Sequence, residues 1–324
     1  MMKVQHYVIL FGIVAGFLCL AFVGLGSTDS QSVEAEKPKV LSLTVSVSVP
    51  ESMSFCDKDI DLTRNDMRED MDRELNAFTY YHSTTLLLIK RANKYFPILE
   101  PILKEEGIPD DLKYLAVIES HLNTRALSPA KAAGFWQLMP ATAKSYGLVI
   151  DEQVDERYHI EKSTRAACKY LKEAYRKYGD WATVSASYNG GMGRISGELK
   201  SQQVDTTFDL LLVEETSRYV YRIMAAREIF SNPPKYGFVL KKENLYQPIG
   251  TKSVEVKASI DNFATYAKTL GLTYAQLKDF NPWLRDRKLI IRPGKTYVLD
   301  IPNKEDLYFD KEHLKVHNKA WLVD

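Results

Sequence analysis

The sequence has no surplus of either charge and contains few cysteines. It carries 43 basic and 42 acidic residues, which gives a formal net charge of +1. A general nucleic-acid-binding protein needs a basic surplus or a basic stripe, so nucleic acid is not an expected partner. Three cysteines occur and none belongs to a Cys-x-x-Cys pair, which excludes a zinc ribbon and an iron–sulfur framework. We therefore expect neither a metal site nor a cofactor.

Glycine-rich phosphate-binding loops are also missing. Neither GxxxxGK[ST] nor GxGxxG occurs, which argues against a nucleotide-dependent enzyme. The composition is ordinary for a protein that buries a core, with 45% hydrophobic and 26% charged residues. A length of 324 residues suits two modest domains and some accessory segments.

The N-terminal residues have the pattern of an export segment. Lys3 precedes an uncharged run of 19 residues, Tyr7–Leu25, which is apolar on all sides and therefore a poor fit to a helix of a soluble domain. Two interpretations stay open: a secretory signal cleaved near small residues such as Ser27, or a retained anchor able to span about 30 Å of hydrocarbon. No basic cluster follows the run, so the bulk of the chain is expected outside the cytoplasm.

The three cysteines invite different interpretations. Cys19 lies inside the apolar run, but Phe17 and Leu18 precede it where a lipoprotein signal has a small residue, so lipidation is disfavoured. Cys56 and Cys168 lie in the exported part, where an oxidising compartment permits a bridge. We favour the simpler interpretation that Cys168, in an amphipathic helical stretch, is a small buried hydrophobic residue.

Changes in composition and periodicity divide the chain into six segments and predict a mainly α fold. Most of the chain has apolar residues at helical spacings of three and four, whereas the last part alternates between short strand and helix patterns. The predicted segments are an export signal or anchor (1–26), a flexible linker (27–54), a helical domain (55–238), a second linker (239–250), a small β-α-α-β domain (251–303) and a C-terminal tail (304–324).

Local signals place several helices in the large domain. Residues 108–111, Ile-Pro-Asp-Asp, have the early proline and the acidic residues of a helix start. Apolar spacing predicts a second helix over 163–178, closed by Gly179, and a third over 216–230, stopped by Asn232 and two prolines.

Beyond residue 250 the pattern changes to a small α/β arrangement. Short apolar stretches predict strands at 254–256 and 297–299. Helical spacing between them predicts helices at 260–270 and 274–280, which gives the order β-α-α-β.

Glu119 carries the strongest chemical signal in the sequence. It lies on the apolar stripe of a predicted helix, seven residues after Leu112. Burial and the negative end of a helix that stops near Ser120 would both raise the pKa of its carboxyl. A carboxyl that holds its proton near neutral pH can act as a general acid. The plainer interpretation is a helix-end glutamate paired with Lys131 or Arg125.

Four motifs occur in a fixed order around this residue. They are AVIES (116–120), ALSPAKAAGFWQLMPATAKSYGL (126–148), ASYNGG (186–191) and ETSRYV (215–220). Together they resemble the soluble-lytic-transglycosylase family of peptidoglycan-cleaving enzymes, and residues 55–238 resemble a membrane-bound branch of it. The resemblance implies a lysozyme-like helical catalytic domain.

The resemblance also implies a role for six residues. Glu119 matches the family's catalytic acid/base. The residues that match substrate-binding or supporting positions around the cleft are Ser128, Gln137, Tyr188, Asn189 and Glu215. For the last of these, support of the site through hydrogen bonds is expected rather than a direct part in the reaction.

The residue types themselves also permit plainer roles at three of these positions. Ser128 and the proline after it resemble a helix-cap turn, and Tyr188 could simply fill the core. Gln137 is surrounded by large apolar residues, which disfavours a surface role, and its amide offers both a donor and an acceptor to a sugar acetamido group.

A single glutamate implies unusual chemistry. Ordinary glycoside hydrolysis uses two carboxylates, whereas only Glu119 carries a motif-level signal here. By resemblance, Glu119 protonates the oxygen between N-acetylmuramic acid and N-acetylglucosamine while the muramyl acetamido oxygen stabilises the developing cation. The ionised carboxylate then takes the proton of the C6 hydroxyl, which attacks C1 and gives a 1,6-anhydro product. The alternatives are a hydrolytic muramidase and a non-catalytic wall-binding scaffold on the same fold.

The C-terminal part resembles a second known family. Residues 254–302 resemble a LysM peptidoglycan-binding module, with a helix-loop-helix core that ends in Asn281-Pro282. They depart from its pattern at residues 258–261, where Ala-Ser-Ile-Asp replaces the usual glycine-aspartate-threonine turn. The implied partner is the peptidoglycan glycan strand, and the implied location is the periplasmic side of a bacterial envelope.

Overall fold

The computed structural model describes residues 45–323. The predicted export segment (1–26) and most of the predicted linker (27–54) lie outside these residues. Within the described part, no helix combines the length and the apolar character needed to cross a bilayer.

Helices dominate the described residues. The α-helices are Asn65–Tyr80 (α1), His82–Glu105 (α2), Lys113–Ser120 (α3), Pro140–Ser145 (α4), Ile160–Tyr178 (α5), Trp181–Gly190 (α6), Met192–Gln202 (α7), Glu214–Ser231 (α8), Phe263–Thr269 (α9) and Tyr274–Phe280 (α10). The strands are Ser52–Phe55 (β1), Lys58–Asp61 (β2), Thr251–Val256 (β3) and Tyr297–Pro302 (β4). The predicted mainly α fold class is confirmed.

Helix α8 organises the helical domain. Helices α1, α3 and α6 pack against it, while α5 packs against both α2 and α6. The buried face of α8 includes Tyr219, Ile223 and Met224, each at most 2% exposed. This packing brings the end of α3, the end of α6 and the first turns of α8 to one place in the fold.

The predicted helices are present, with boundaries that move by a few residues. The helix start at 108–111 is a 3₁₀ turn over Asp110–Leu112 that leads into α3. Helix α5 begins at Ile160 and ends before Gly179, which has φ +65°, a conformation that glycine adopts at little cost. Helix α8 is one or two residues longer at each end than predicted.

The small C-terminal module has the predicted β-α-α-β order. Strand β3 pairs antiparallel with β4, and Val254 lies opposite Leu299. Helix α9 begins later than predicted because Asn262 caps it. The Asn262 side chain accepts hydrogen bonds from the backbone N–H groups of Ala264 and Thr265. The module has its own apolar cluster, yet the chain from Ser46 onward forms one compact unit.

The end of the predicted linker is ordered in the structure. Residues 52–54 belong to β1, which pairs with β2, and Met53 is 5% exposed. Between the strands, Cys56 and Asp57 have φ values of 50° and 61°, the sign that a two-residue hairpin turn requires. Cys-Asp is not a sequence that marks such a turn, so the sequence gives no local signal for this hairpin.

Within the predicted second linker (239–250) and C-terminal tail (304–324), single apolar side chains are buried in the main core. Leu240 is 1% exposed and joins the main core. Trp321 is 2% exposed, and its indole Nε1 donates a hydrogen bond to the Phe230 carbonyl at 2.7 Å. Single apolar residues in polar stretches have no periodicity, so the pattern did not reveal them.

The two described cysteines are both free thiols. Cys168 on α5 is fully buried, which confirms its interpretation as a small hydrophobic residue. Burial raises the pKa of the Cys168 thiol to about 12, so it stays protonated. Cys56 is half-buried, and its backbone N–H donates to Asp111 at 2.7 Å.

We predict that Trp321→Ala destabilises the helical domain. Removing a fully buried tryptophan side chain costs about 3–5 kcal/mol of unfolding free energy, the loss expected for large-to-small core changes. Chemical denaturation of the purified protein measures it. Tyr308→Ala, at a side chain 80% exposed, is the control, and equal midpoints for the two variants would contradict a structural role for the C-terminal segment.

Candidate active site

Glu119 occupies the last turn of α3. The helix ends at Ser120, and the next two residues, His121 and Leu122, take left-handed conformations with φ of 53° and 52°. The predicted end near Ser120 is therefore correct, although no glycine marks it. The carboxyl Oε1 of Glu119 accepts a hydrogen bond from the Tyr219 hydroxyl of α8 at 2.5 Å.

Burial is the main influence on the Glu119 carboxyl. Desolvation and, to a smaller extent, the nearby Glu215 carboxylate raise the pKa of Glu119, which is about 7 when all influences are combined. The Tyr219 hydrogen bond and the Arg222 guanidinium both favour the ionised form and lower the pKa, but they do not outweigh desolvation. A carboxyl with this pKa exchanges its proton near neutral pH, as a general acid must.

The plainer interpretation of Glu119, a pairing with Lys131 or Arg125, does not hold, because among the described residues neither forms an ion pair with it. Arg125 instead forms an ion pair with Asp279 on α10 of the C-terminal module. The partner of Glu119 in the structure is a tyrosine from a helix a hundred residues further along the chain, Tyr219.

Tyr188 connects α6 to the loop that carries Gln137. Its hydroxyl donates to the Trp136 carbonyl at 2.7 Å, and its ring packs edge-on against Tyr170 at 5.2 Å. Burial first, and then the Glu119 charge, hold the pKa of Tyr188 well above its usual range. Tyr188 therefore interacts electrostatically with the Glu119 carboxylate, and its hydrogen bond to Trp136 holds the loop that carries Gln137.

Asn189 and Glu215 extend the site toward the start of α8. The Asn189 Oδ1 accepts a hydrogen bond from the Thr216 hydroxyl at 2.8 Å, which joins the end of α6 to the first turn of α8. Glu215 is exposed in that same turn, and its charge raises the pKa of Glu119. Its influence on Glu119 is electrostatic, and support of the site through hydrogen bonds stays a prediction.

Ser128 and Gln137 lie on the loop formed by residues 126–138. Ser128 is in a tight turn rather than a helix cap, because its Oγ accepts from the Ala132 N–H at 3.0 Å and its own N–H donates to the Ala132 carbonyl. Gln137 has φ +45°, and its side-chain Nε2 donates to the Gly134 carbonyl at 2.8 Å. Both residues are half-buried.

The structure thus brings the predicted residues together to different degrees. Glu119, Tyr188 and Glu215 interact electrostatically, and Asn189 joins them through the first turn of α8. Ser128 and Gln137, on the loop formed by residues 126–138, are connected to this group by the hydrogen bond from Tyr188 to Trp136.

Sequence reasoning missed three charged or polar residues behind the site. Tyr219 stands inside the ETSRYV motif but was not singled out. Arg218 and Arg222 lie on either side of Tyr219 in α8, and both form ion pairs with Glu74 of α1, a carboxylate with a side chain 2% exposed. The available signal was Glu74 itself, because a buried carboxylate on an amphipathic helix requires cationic partners.

The described residues also contain no group of three His, Cys, Asp or Glu side chains that could hold a metal ion.

Comparison with known proteins identifies two domains. The transglycosylase SLT domain matches residues 96–209, and the soluble lytic transglycosylase C-terminal LysM-like domain matches residues 252–305. Both ranges agree with the sequence resemblances, and the first contains five of the six predicted site residues; Glu215 lies beyond it.

Individual relatives point the same way. The chain is 30% identical over 243 residues to membrane-bound lytic murein transglycosylase D of Escherichia coli K12, covering 74% of this chain and 52% of that protein. It is 31% identical over 151 residues to membrane-bound lytic murein transglycosylase C of Haemophilus ducreyi, covering 42% and 40%. The chain thus spans about half the length of the Escherichia coli relative and less than half the length of the Haemophilus ducreyi relative.

Among solved structures, the 70 kDa soluble lytic transglycosylase of Escherichia coli is 23% identical, with a TM-score of 0.37 and coverage of 42% of this chain and 24% of that one. The family assignment depends on the sequence matches. The chain therefore contains a transglycosylase SLT domain followed by a soluble lytic transglycosylase C-terminal LysM-like domain.

Proposed function

We propose that the protein is a lytic transglycosylase of peptidoglycan. It cleaves the β-1,4 bond between N-acetylmuramic acid and N-acetylglucosamine and leaves 1,6-anhydromuramyl ends. The observation that carries the proposal is the half-buried Glu119 carboxyl, which accepts a hydrogen bond from Tyr219 and, through desolvation, has a pKa of about 7. The family matches and the names of the relatives support the same substrate class.

The first step is proton delivery to the leaving oxygen. Glu119 is protonated in a large fraction of molecules near pH 7, since its pKa lies there. The proton moves to the glycosidic oxygen, the C1–O bond breaks, and the muramyl acetamido oxygen stabilises the cation at C1. The N-acetylglucosamine end leaves with a free hydroxyl.

The second step returns the proton to the same carboxyl. The ionised Glu119 takes the proton of the muramyl C6 hydroxyl as that oxygen bonds to C1. A pKa near 7 suits this role as well, because acid and base forms of the group are then close in free energy. No water is consumed, and the enzyme ends in its starting protonation state.

The other residues orient these groups. Tyr219 holds the Glu119 carboxyl from behind, and Glu215 keeps its pKa raised. Ser128 and Gln137 contact the sugars from the loop of residues 126–138, and Tyr188 with Asn189 borders the cleaved bond. These substrate contacts rest on the family motifs together with the position of each residue around Glu119.

The location and further partners are part of the same proposal. The protein acts in the cell envelope, on the periplasmic side, and its N-terminal apolar run serves as export signal or membrane anchor. The LysM-like domain contacts peptidoglycan. Membrane attachment is supported by the run of 19 uncharged residues and by the names of the relatives.

We predict that Glu119→Gln nearly abolishes cleavage while the fold is kept. Glutamine retains the shape and still accepts the Tyr219 hydrogen bond, but it transfers no proton, a loss of about 10²- to 10⁴-fold or more. Glu215→Gln should cost less, because it removes only a charge beside the site. Turnover of purified peptidoglycan, followed by mass spectrometry of the products, measures both variants.

Product analysis of the wild-type enzyme in water enriched in heavy oxygen tests the reaction type. Anhydromuramyl ends without label are expected. Labelled reducing ends would show a hydrolytic muramidase instead, and binding without any product would show a wall-binding scaffold.

We predict that Tyr219→Phe lowers the rate and moves the alkaline limb of the pH profile upward. The lost hydrogen bond favoured the ionised carboxylate, so the pKa of Glu119 rises from about 7 and the acid form persists to higher pH. Loss of a hydrogen bond to a charged group predicts a roughly tenfold to hundredfold lower rate. Tyr178→Phe removes a hydroxyl bonded to Met192 and Ser196 and is the matched control. An unchanged limb in both variants would contradict the assignment of Glu119.

We expect most of the protein to stay with the membrane after a carbonate wash, because the N-terminal run is long enough to span a bilayer. Cell fractionation with detection of the C-terminal module measures this. A wholly soluble product that starts near Ser27 would instead establish signal cleavage.

A further inference from the structure

The LysM-like module is docked on the helical domain by main-chain hydrogen bonds. The Asp155 N–H donates to the Trp283 carbonyl at 2.9 Å, and the Arg285 N–H donates to the Gln153 carbonyl at 2.7 Å. The Gln153 side-chain oxygen accepts from the Ile290 N–H at 2.7 Å. Residues 153–155 therefore bind the module as an added extended segment.

Apolar and aromatic contacts reinforce this docking. Ala133, Val154 and Tyr158 come from the helical domain, yet they are buried in the apolar cluster of the module. The Arg285 guanidinium lies 4.3 Å from the centroid of the Tyr158 ring, within cation–π distance. The Trp283 ring stacks on His159 at 5.8 Å.

Asp155, in the extended segment of residues 153–155, also helps to hold the loop formed by residues 126–138. The Asp155 carboxylate forms a buried ion pair with Arg157 at 2.7 Å, with side chains 10% and 7% exposed. The Arg157 Nη1 donates to the carbonyls of Lys131 and Leu138, at 2.6 and 3.1 Å. These two carbonyls flank the stretch that contains Gln137.

The loop and Arg157 pack without free space. A Cβ atom at Gly134, which has φ +76°, would lie 1.9 Å from the Arg157 carbonyl oxygen. Ala133 forms isolated β-bridges with Leu127 and Leu138, so backbone pairing connects Ala133 to residues near both ends of the loop formed by residues 126–138. A shift of residues 155–157 therefore transmits directly to the loop.

We propose that the module positions the substrate-binding loop of the catalytic domain, in addition to any contact it makes with the wall. Trp283 and Arg285 are positioning residues: they hold residues 153–158, which hold Arg157, which fixes the loop with Ser128 and Gln137. This inference rests on the proposed function only for the claim that the loop binds sugars. The mechanical connection follows from the contacts themselves.

The test uses the full chain with Gln153→Ala and Arg285→Ala combined. These changes remove the side-chain bond to Ile290 and the contact with the Tyr158 ring, and they leave the main-chain bonds in place. Arg287→Ala is the matched control, since Arg287 is an exposed arginine in the same segment. Arg285→Lys in the Gln153→Ala background keeps a cation over the ring and should partly rescue the double variant.

Two readouts are measured. The first is kcat and KM on a soluble peptidoglycan tetrasaccharide, for which recruitment to the insoluble wall plays no part. We expect KM to rise about threefold to thirtyfold, the range set by loss of one hydrogen bond and one cation–π contact, with the pH limb of Glu119 unchanged. The second is amide hydrogen exchange in residues 126–138, which should become faster in the double variant only.

The outcomes separate the two proposals. Faster exchange in the loop without any cleavage by the wild type would uphold the positioning role and remove the proposed function. Equal exchange and equal KM in the double variant and the Arg287→Ala control would overturn the positioning role. Reduced binding to insoluble peptidoglycan with unchanged soluble kinetics and exchange would likewise overturn it, and would leave the module as a recruiting device.

Discussion

The hydrogen bond between Tyr219 and Glu119 places a strict requirement on the surrounding structure. The carboxyl must remain partly protonated near pH 7, although an arginine, Arg222, stands one turn beyond Tyr219 on the same helix. A free guanidinium beside the carboxyl would favour the ionised form and lower its pKa. The packing of α8 that places Tyr219 against Glu119 is thus compatible with a raised Glu119 pKa only if the Arg222 charge is compensated.

Glu74 provides this compensation from α1. Its buried carboxylate lies 3.5 Å from the Arg222 Nε and accepts a hydrogen bond from the Arg218 Nε at 2.6 Å. Removal of one partner from a buried ion pair leaves an uncompensated charge, which costs far more than the pair contributes. The Glu74 network therefore ties α1 to α8 and pairs Arg222 with a carboxylate other than Glu119, so the same contact serves packing and the acidity of Glu119.

Local sequence signals identified Glu119 and the ends of the helices that hold it. The apolar stripe, the acidic helix start and Gly179 each act over a few residues, so they can be recognised in the sequence. Tyr219 escaped because its contact with Glu119 joins residues 100 positions apart, and a buried tyrosine on an apolar helix face has no distinguishing pattern. The burial of Leu240 and Trp321 could not be predicted for a related reason. Each is an isolated apolar residue, and the core residues it packs against lie far away in the sequence.

Contacts between the two domains fix the position of the LysM-like module. A module on a flexible linker raises the local concentration of its partner, and its effect depends on linker length. Here residues 239–250 contribute Leu240 to the main core, and Asp155 is bonded to Trp283 across the two domains. The module consequently has a fixed orientation relative to Glu119. Under the proposed function, a glycan strand bound by both domains runs past Glu119 in one direction and one register, so the geometry of the interface determines which bonds along the strand reach this carboxyl.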